Sequence, residues 1–418
     1  MAKKEDLFRN TPSGPNLHDK EGSKPYQTPY RWLVLALLWS LYFSFGLIAR
    51  SIAPLVTPIL KDLKISYSQM GMILGSWQLT YILASVFAGT LIDKWGLRKS
   101  LFLGVITIGI SALLRYFPEG FTGMLFAVAL FGVGGPMISI GCPKSIAVWF
   151  RGKDRGTAVG TYMTGHYAGM LTAFTLTNST VMPLTGYSWR LTFVFFSLVI
   201  FSIALLWWFL AREISTISPA ENPGITETFA KLIKIRNVRI ILMMGFLSFT
   251  ISHGFGNWLP KILEAEGLSP ISAGFIASVP IVSGIPALLF IPRMMPPRFR
   301  HHIVALSALL TILTLLLIVT TSGTLQFIGL ILYGIAGSGF LPILTLILID
   351  TPGVELRYMG SVVGLFFCIA EIGGFTGPFI MGFLVDFTAT FLSGTIFFAA
   401  LSLAILGLTF MLKTEATA

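Results

Sequence analysis

LVLALLWSLYFSFGLIARSIAPLVTPIL, residues 33–60, is an apolar stretch that contains one charged side chain, Arg50. A helix needs about 20 apolar residues to cross the hydrocarbon core of a bilayer, so this stretch predicts a membrane-spanning helix. A charge at that depth costs about 3 kcal/mol on insertion scales, and it usually faces a protein interior or a water-filled cavity. The stretch therefore predicts a membrane protein with a polar site inside it.

Composition extends this prediction to the whole chain. Of its 418 residues, 54% are hydrophobic and only 11% are charged, whereas a soluble domain carries about 25% charged residues. The pattern predicts an all-α membrane protein with twelve transmembrane helices. We name them span 1 to span 12 and predict them at about 33–60, 68–92, 99–117, 122–149, 156–182, 189–211, 239–262, 271–292, 302–320, 324–349, 359–385 and 392–412.

The basic residues are unevenly distributed between the two sides of the predicted membrane. Of the 29 lysines and arginines, 22 fall in the tails and every second loop, 5 at the alternate loops, and 2 within spans. This asymmetry follows the positive-inside rule and places both termini in the cytoplasm. The net charge of +11 thus reports topology, and no nucleic-acid partner is predicted.

The spans group into two halves joined by a polar segment. We predict a disordered cytoplasmic tail at 1–30, a six-helix bundle at 31–211, a cytoplasmic linker at 212–238, a second six-helix bundle at 239–412, and a short cytoplasmic tail at 413–418.

The two halves can be aligned with each other. SYSQMG at 66–71 matches SPISAG at 269–274 with an offset of 203, and GTAVG at 156–160 matches GSVVG at 360–364 with an offset of 204. Internal repeats of this kind are typical of secondary transporters, whose substrate site lies at the repeat interface. The same offsets relate Arg50 to His253 and Tyr167 to Glu371, so the few polar side chains at mid-membrane occupy related positions.

A loop motif lies between spans 2 and 3. Gly89-Thr-Leu-Ile-Asp93-Lys-Trp-Gly96-Leu-Arg98-Lys99 resembles the signature loop of the major facilitator superfamily, and the resemblance covers essentially residues 31–412. It implies a twelve-helix carrier that works by alternating access. In that family the loop is a latch that holds the outward-open state.

The latch has a physical interpretation. Gly89 lets span 2 approach a neighbouring helix closely, while Asp93 can accept hydrogen bonds from a helix N-terminus and pair with a basic residue. Candidate partners are Arg151, Lys153 and Arg155 in the next cytoplasmic loop. Alternatively, Asp93 and Arg98 belong to a solvated loop.

Within the superfamily, the chain is similar to the cyanate permease and nitrate/nitrite porter branches. The residues concerned are Arg50 with Ala53-Pro54-Leu55, the GNWLP stretch at 256–260, and YSWR at 187–190. A sugar-acid or monocarboxylate carrier of the anion-symporter type is nearly as good a match. Spans 2 and 8 lack a central arginine, so the paired-arginine site of a nitrate porter is not reproduced.

Arg50 is the principal candidate ligand. A guanidinium can clamp a carboxylate or another small planar anion through two hydrogen bonds. His253, His166 with Tyr167, and Asn257 are further candidate donors, and Asn257 lies one turn beyond His253 on the same helical face. Each has a structural alternative, which for Arg50 is an ion pair with Glu371.

Glu371 is the one carboxylate predicted at mid-membrane. A buried carboxyl group protonates more readily than one in water unless it is paired, which is the chemistry that a proton-coupled carrier needs. The alternatives for Glu371 are a permanent salt bridge with Arg50 or a packing role.

The sequence predicts a monomeric secondary transporter of a prokaryotic plasma membrane. It contains no nucleotide-binding motif and no nucleophile–base constellation, so no enzymatic activity, catalytic residue, cofactor or metal site is predicted. The predicted cargo is a small, organic, carboxylate-like anion, accompanied by a proton. The alternatives are anion/anion antiport, a multidrug or cation exporter with Glu371 as the ligand, and a membrane scaffold.

Overall fold

The computed structural model describes residues 28–212, 231–355 and 359–412. The predicted tails at 1–30 and 413–418 lie almost wholly outside these ranges, as does most of the predicted linker at 212–238. The described residues form helices joined by short turns, without strands.

The predicted all-α membrane fold is confirmed. The spans comprise Tyr30–Arg50 with Val56–Leu63, then Tyr67–Trp95, Leu97–Leu114, Phe121–Trp149, Gly152–Leu176, Trp189–Leu210, Arg236–Ala265, Pro270–Ala277 with Val279–Met294, Arg300–Thr320, Thr324–Ile349, Met359–Thr388 and Phe391–Met411. Within the described ranges, eleven spans are long and apolar enough to cross a membrane. The exception is span 5, Gly152–Leu176, whose glycines, threonines and His166 make it more polar than its neighbours.

Span 1 is broken immediately after Arg50. The first helix ends at Arg50, and a single 3-10 turn, Ala53–Leu55, precedes the second helix, Val56–Leu63. Pro54 lacks a backbone N–H and therefore cannot continue the hydrogen-bonding ladder of the first helix. The break places the Arg50 side chain at a helix end rather than in mid-helix.

The contacts between helices reproduce the predicted repeat. A Cβ built on Gly71 would lie 2.3 Å from Pro378 O, and one built on Gly274 would lie 2.2 Å from Phe174 O. The two contacts are related by the offsets 203 and 204. Glycine permits this close backbone approach in membrane helices, so span 2 meets span 11 as span 8 meets span 5.

The two halves are held together at one end of the bundle, which we call the closed end, where residues 64–67 and 267–270 lie. Here the backbone N–H groups of Tyr67 and Ser68 donate to the Asp386 carboxylate at 2.9 and 2.7 Å. Asn178 Nδ2 donates to Pro270 O at 3.3 Å. Each contact joins one half to the other.

The halves separate toward the opposite end, which we call the open end, where residues 95–97 and 150–152 lie. Cβ atoms built on Gly156, Gly160, Gly360 and Gly364 would meet nothing within 4 Å. The ion pairs found here, Arg31 with Asp154 and Arg300 with Asp350, each stay within one half. The molecule is therefore closed on one side and open on the other.

Candidate functional site

A cavity of about 300 Å³ lies between the two halves. We call it the central cavity. Spans 1, 5, 7, 8, 9, 10 and 12 contribute to its wall, which is mostly apolar with a few polar groups, as is common for ligand sites. The polar groups are Arg50, His166, Tyr167, Ser248, Ser252, His253, Thr311, Tyr333, Ser338 and Ser402.

Arg50 reaches the cavity across the face of span 7. A Cβ on Gly256 would lie 3.4 Å from both terminal nitrogens of the guanidinium, so the glycine leaves room for it. Arg50 Nη1 donates to Asn257 Oδ1. The partner is a neutral amide, and the alternative ion pair between Arg50 and Glu371 is not formed, since Glu371 Oε2 has no hydrogen-bond partner among the described residues. The guanidinium charge is thus available to an anion.

Arg115 supports this arrangement, and the sequence analysis missed it. Its side chain is 1% exposed, and Nη1 donates to Ser51 Oγ at 3.0 Å and to Ile48 O at 3.5 Å. These acceptors lie where the first helix of span 1 ends, and terminal carbonyls there need a donor from outside the helix. The available signal was an arginine at the end of predicted span 3.

The two histidines line the cavity from opposite halves. The ring of His166 lies 5.5 Å from those of Tyr42 and Phe45 and 5.7 Å from that of Tyr167. Close packing of spans 1 and 5 brings it there, since a Cβ on Gly46 would lie 2.1 Å from His166 O. His253 stacks on Phe249 at 5.3 Å.

Glu371 lies outside the wall of the central cavity. It is 9% exposed and does not line the central cavity, so it does not share a chamber with Arg50. Span 11 packs on span 7 through Gly373 and Gly377, and this contact turns Glu371 toward span 2. Its Oε2 atom has no hydrogen-bond partner among the described residues.

The partner of Asp93 in the signature loop differs from those predicted. Asp93 pairs with Lys144 of span 4 and not with Arg151, Lys153 or Arg155, so the sequence-based partners are corrected. Lys144 lies beside span 2 because spans 2 and 4 pack closely. Gly132 of span 4 shows this close packing, since a Cβ built on it would lie 2.0 Å from Trp77 O of span 2. Lys144 can therefore reach a carboxylate without extending to the membrane surface.

The remaining loop residues each have a different environment. Gly96 ends span 2 with a φ of 83°, which favours glycine. Arg98 donates to Trp208 O at 2.5 Å. A Cβ on Gly89 would meet nothing within 4 Å, so the close contact predicted for Gly89 is not made in this conformation.

Comparison with known proteins defines the class to which this fold and cavity belong. The profile of the Major Facilitator Superfamily matches residues 38–378. The chain belongs to this superfamily, whose members are transporters.

Individual relatives have low sequence identity to this chain. The hexuronate transporter of Bacillus subtilis (strain 168) is 25% identical over 366 residues, which are 82% of this chain and 85% of that protein. GudP of Escherichia coli (strain K12), named as a galactarate/D-glucarate transporter, is 24% identical over 60% of this chain and 63% of its own length. The quinolone resistance transporter of Acinetobacter baumannii is 24% identical over 85% and 87%.

Solved structures share the fold. The D-xylose-proton symporter superposes with a TM-score of 0.73 at 16% identity, over 92% of this chain and 98% of that chain.

Proposed function

We propose that this protein carries a small organic carboxylate across the plasma membrane by alternating access, in symport with protons. The observation that carries the proposal is Arg50, a cation at the wall of the central cavity whose hydrogen-bond partner is neutral Asn257. An arginine without a carboxylate partner in a low-dielectric site attracts an anion strongly and can bind its two oxygens together.

The remaining cavity wall favours an organic anion. Apolar side chains such as Met170, Phe249 and Leu341 line it together with hydroxyl groups. An inorganic anion would leave the apolar wall unused, whereas the carbon skeleton of an organic acid would contact it. The names of the hexuronate and galactarate/D-glucarate relatives favour the sugar-acid alternative over the cyanate and nitrate branches.

Alternating access is supported by the arrangement of the two halves. Contacts between halves close one end, while the glycines near the other end have free space. With both termini in the cytoplasm, as the basic loops predict, the central cavity opens to the cytoplasm. Opening to the other side requires breaking the contacts made by Asp386 and Asn178.

We assign to Glu371 the role of binding and releasing the proton that is transported with the substrate. A carboxyl group that is buried without an ion-pair partner is held more easily in its neutral form. A cation exporter would instead need this carboxylate at the cavity wall, and Glu371 does not line it. The geometry therefore favours a coupling role for Glu371 over a ligand role.

The test is uptake of labelled organic acids into liposomes that contain purified protein. Loss of a charge-assisted contact costs about 2–5 kcal/mol, so Arg50→Leu should reduce uptake about 30-fold or more. Arg50→Lys is the matched variant that keeps the charge but loses two-pronged binding, and it should retain partial uptake. Equal uptake by the wild type and Arg50→Leu would exclude Arg50 as the anion ligand.

A further inference from the structure

Two buried oxygen atoms near Gly374 have no hydrogen-bond partner among the described residues. They are Oε1 of Gln78 on span 2 and Oε2 of Glu371 on span 11. A Cβ built on Gly374 would lie 3.0 Å from Glu371 Oε2 and 3.1 Å from Gln78 Cγ. The carboxyl and amide groups are therefore neighbours across the interface between the two halves.

Gln78 also contacts the wall of the central cavity. Its Nε2 atom lies 3.0 Å from Nδ1 of His253 and 3.3 Å from Gly374 O, to which it donates. Gln78 itself is fully buried, and His253 lines the cavity. One side chain of the first half thus touches two spans of the second half, with the carboxyl group on one side and the cavity on the other.

The chemistry of the two unpartnered oxygens depends on the proton of Glu371. An ionised carboxylate only accepts hydrogen bonds, so an ionised Glu371 offers no donor to the unpartnered Gln78 Oε1. A protonated carboxyl group carries an O–H that Gln78 Oε1 can accept. Buried unsatisfied polar groups are costly, so protonation of Glu371 would complete the network and fix the orientation of the amide.

We propose that Gln78 is a positioning residue that links the protonation state of Glu371 to the orientation of His253 in the central cavity. The inference rests on the proposed proton symport. A fixed amide directs its Nε2 donor to His253 Nδ1, and this bond orients the imidazole that faces the substrate. Loss of the proton frees the amide and weakens that orientation.

Other titratable groups face this region from the helices around span 11. Tyr81 on span 2 and Cys368 on span 11 lie near enough to Glu371 to interact with it electrostatically. Span 12 contributes no ionisable side chain to this region, within residues 391–411. The titratable groups to be considered with Glu371 are therefore Tyr81, Cys368 and, through its contact with Gln78, His253.

The test compares two transport modes in liposomes. Counterflow exchanges labelled for unlabelled substrate without net proton movement, whereas uptake driven by an imposed pH gradient requires coupling. Gln78→Met keeps the side-chain shape but removes the amide, so gradient-driven uptake should fall about tenfold or more while counterflow changes less than about threefold. The pH dependence of uptake should flatten in the same variant.

The control is Gln326→Leu. Gln326 is the other buried glutamine among the described residues, and at the closed end its amide donates to Ile318 O. This substitution should leave the ratio of gradient-driven uptake to counterflow unchanged. Gln78→Asn keeps the amide and should recover part of the gradient response. Full gradient-driven uptake in Gln78→Met, or equal loss of both modes in folded protein, would overturn the inference. Absence of all carboxylate transport in the wild type would instead overturn the proposed function, and the inference with it.

Discussion

Asn257 is the hydrogen-bond partner of Arg50, and its neutrality leaves the guanidinium charge unpaired. We expect Asn257→Asp to place a permanent carboxylate there and to weaken substrate binding about 100-fold, because the substrate must displace an internal ion pair. The concentration dependence of uptake measures this effect. Asn257→Ala, which adds no charge, should weaken binding by less than about tenfold. Equal effects of the two substitutions would contradict the assignment.

The number of cations in the cavity predicts the charge of the substrate. Arg50 is the one lysine or arginine among the described residues that line the central cavity. A second carboxylate would be buried without a partner, which costs several kcal/mol. We therefore expect a hexuronate to inhibit uptake of the labelled substrate at a concentration about tenfold or more lower than the matching dicarboxylate. The measurement belongs at pH 7.5, above the ordinary histidine pKa of about 6.5. Equal competition would contradict it.

Glu371→Gln tests the coupling role directly. The new amide offers an N–H donor to Gln78 Oε1 at every pH, as a protonated carboxyl group would. We expect counterflow to persist and gradient-driven uptake to fall about tenfold or more. Glu266→Gln is the matched control, since Glu266 lies at the closed end beside Gln326. Gradient-driven accumulation by Glu371→Gln at the wild-type level would exclude Glu371 as the coupling group.

At the scale of the helical elements, Asp386 closes one end by capping the start of span 2 from span 11. Hydrogen bonds to a charged acceptor contribute about 1.5–3 kcal/mol each, and a helix N-terminus favours a negative group. We expect Asp386→Asn to weaken the closed end and to shift the conformational equilibrium about tenfold.

The shift can be measured by thiol labelling. A cysteine at Ser252, an exposed position of the cavity wall, is introduced after Cys142 and Cys368 are replaced by alanine. Labelling from the side of the closed end should accelerate in Asp386→Asn. Asp62→Asn is the control, because Asp62 binds Trp189 and Arg190 within one half and should leave the rate unchanged. An equal rate in both variants would show that Asp386 does not hold this end.

The spans could be predicted from sequence because hydrophobic length and the basic loops directly reflect the bilayer. Arg50 and Asn257 could be identified as candidate site residues because a polar side chain in an apolar span is costly unless it faces a protein interior or a cavity. The surroundings of Glu371 could not be predicted, since they depend on which face of span 11 packs on span 7. The partner of Asp93 could not be predicted for a similar reason, because the separation of spans 2 and 4, which brings Lys144 to it, depends on glycine contacts that no local pattern reveals.

At the scale of the whole molecule, two similar halves hold one cavity between them, and each half contributes to it. Arg50 and His166 come from the first half, whereas His253 comes from the second. A substrate that contacts residues of both halves would link them when the cavity opens to one side of the membrane and also when it opens to the other. Exchange of the open and closed ends then requires that the contacts between the halves at the closed end break, those of Asp386 and Asn178 and those of Thr57 with span 7 among them, while others form at the open end.

Calorimetric titration of purified protein tests the central claim, that Arg50 binds a carboxylate in the central cavity. The ligands are a hexuronate and the neutral hexose of the same stereochemistry, and the proteins are the wild type and Arg50→Gln. We expect the wild type to bind the acid at least about tenfold more tightly than the hexose, and Arg50→Gln to lose this preference. A wild type that binds both ligands equally, or an Arg50→Gln variant that keeps the preference, would contradict it.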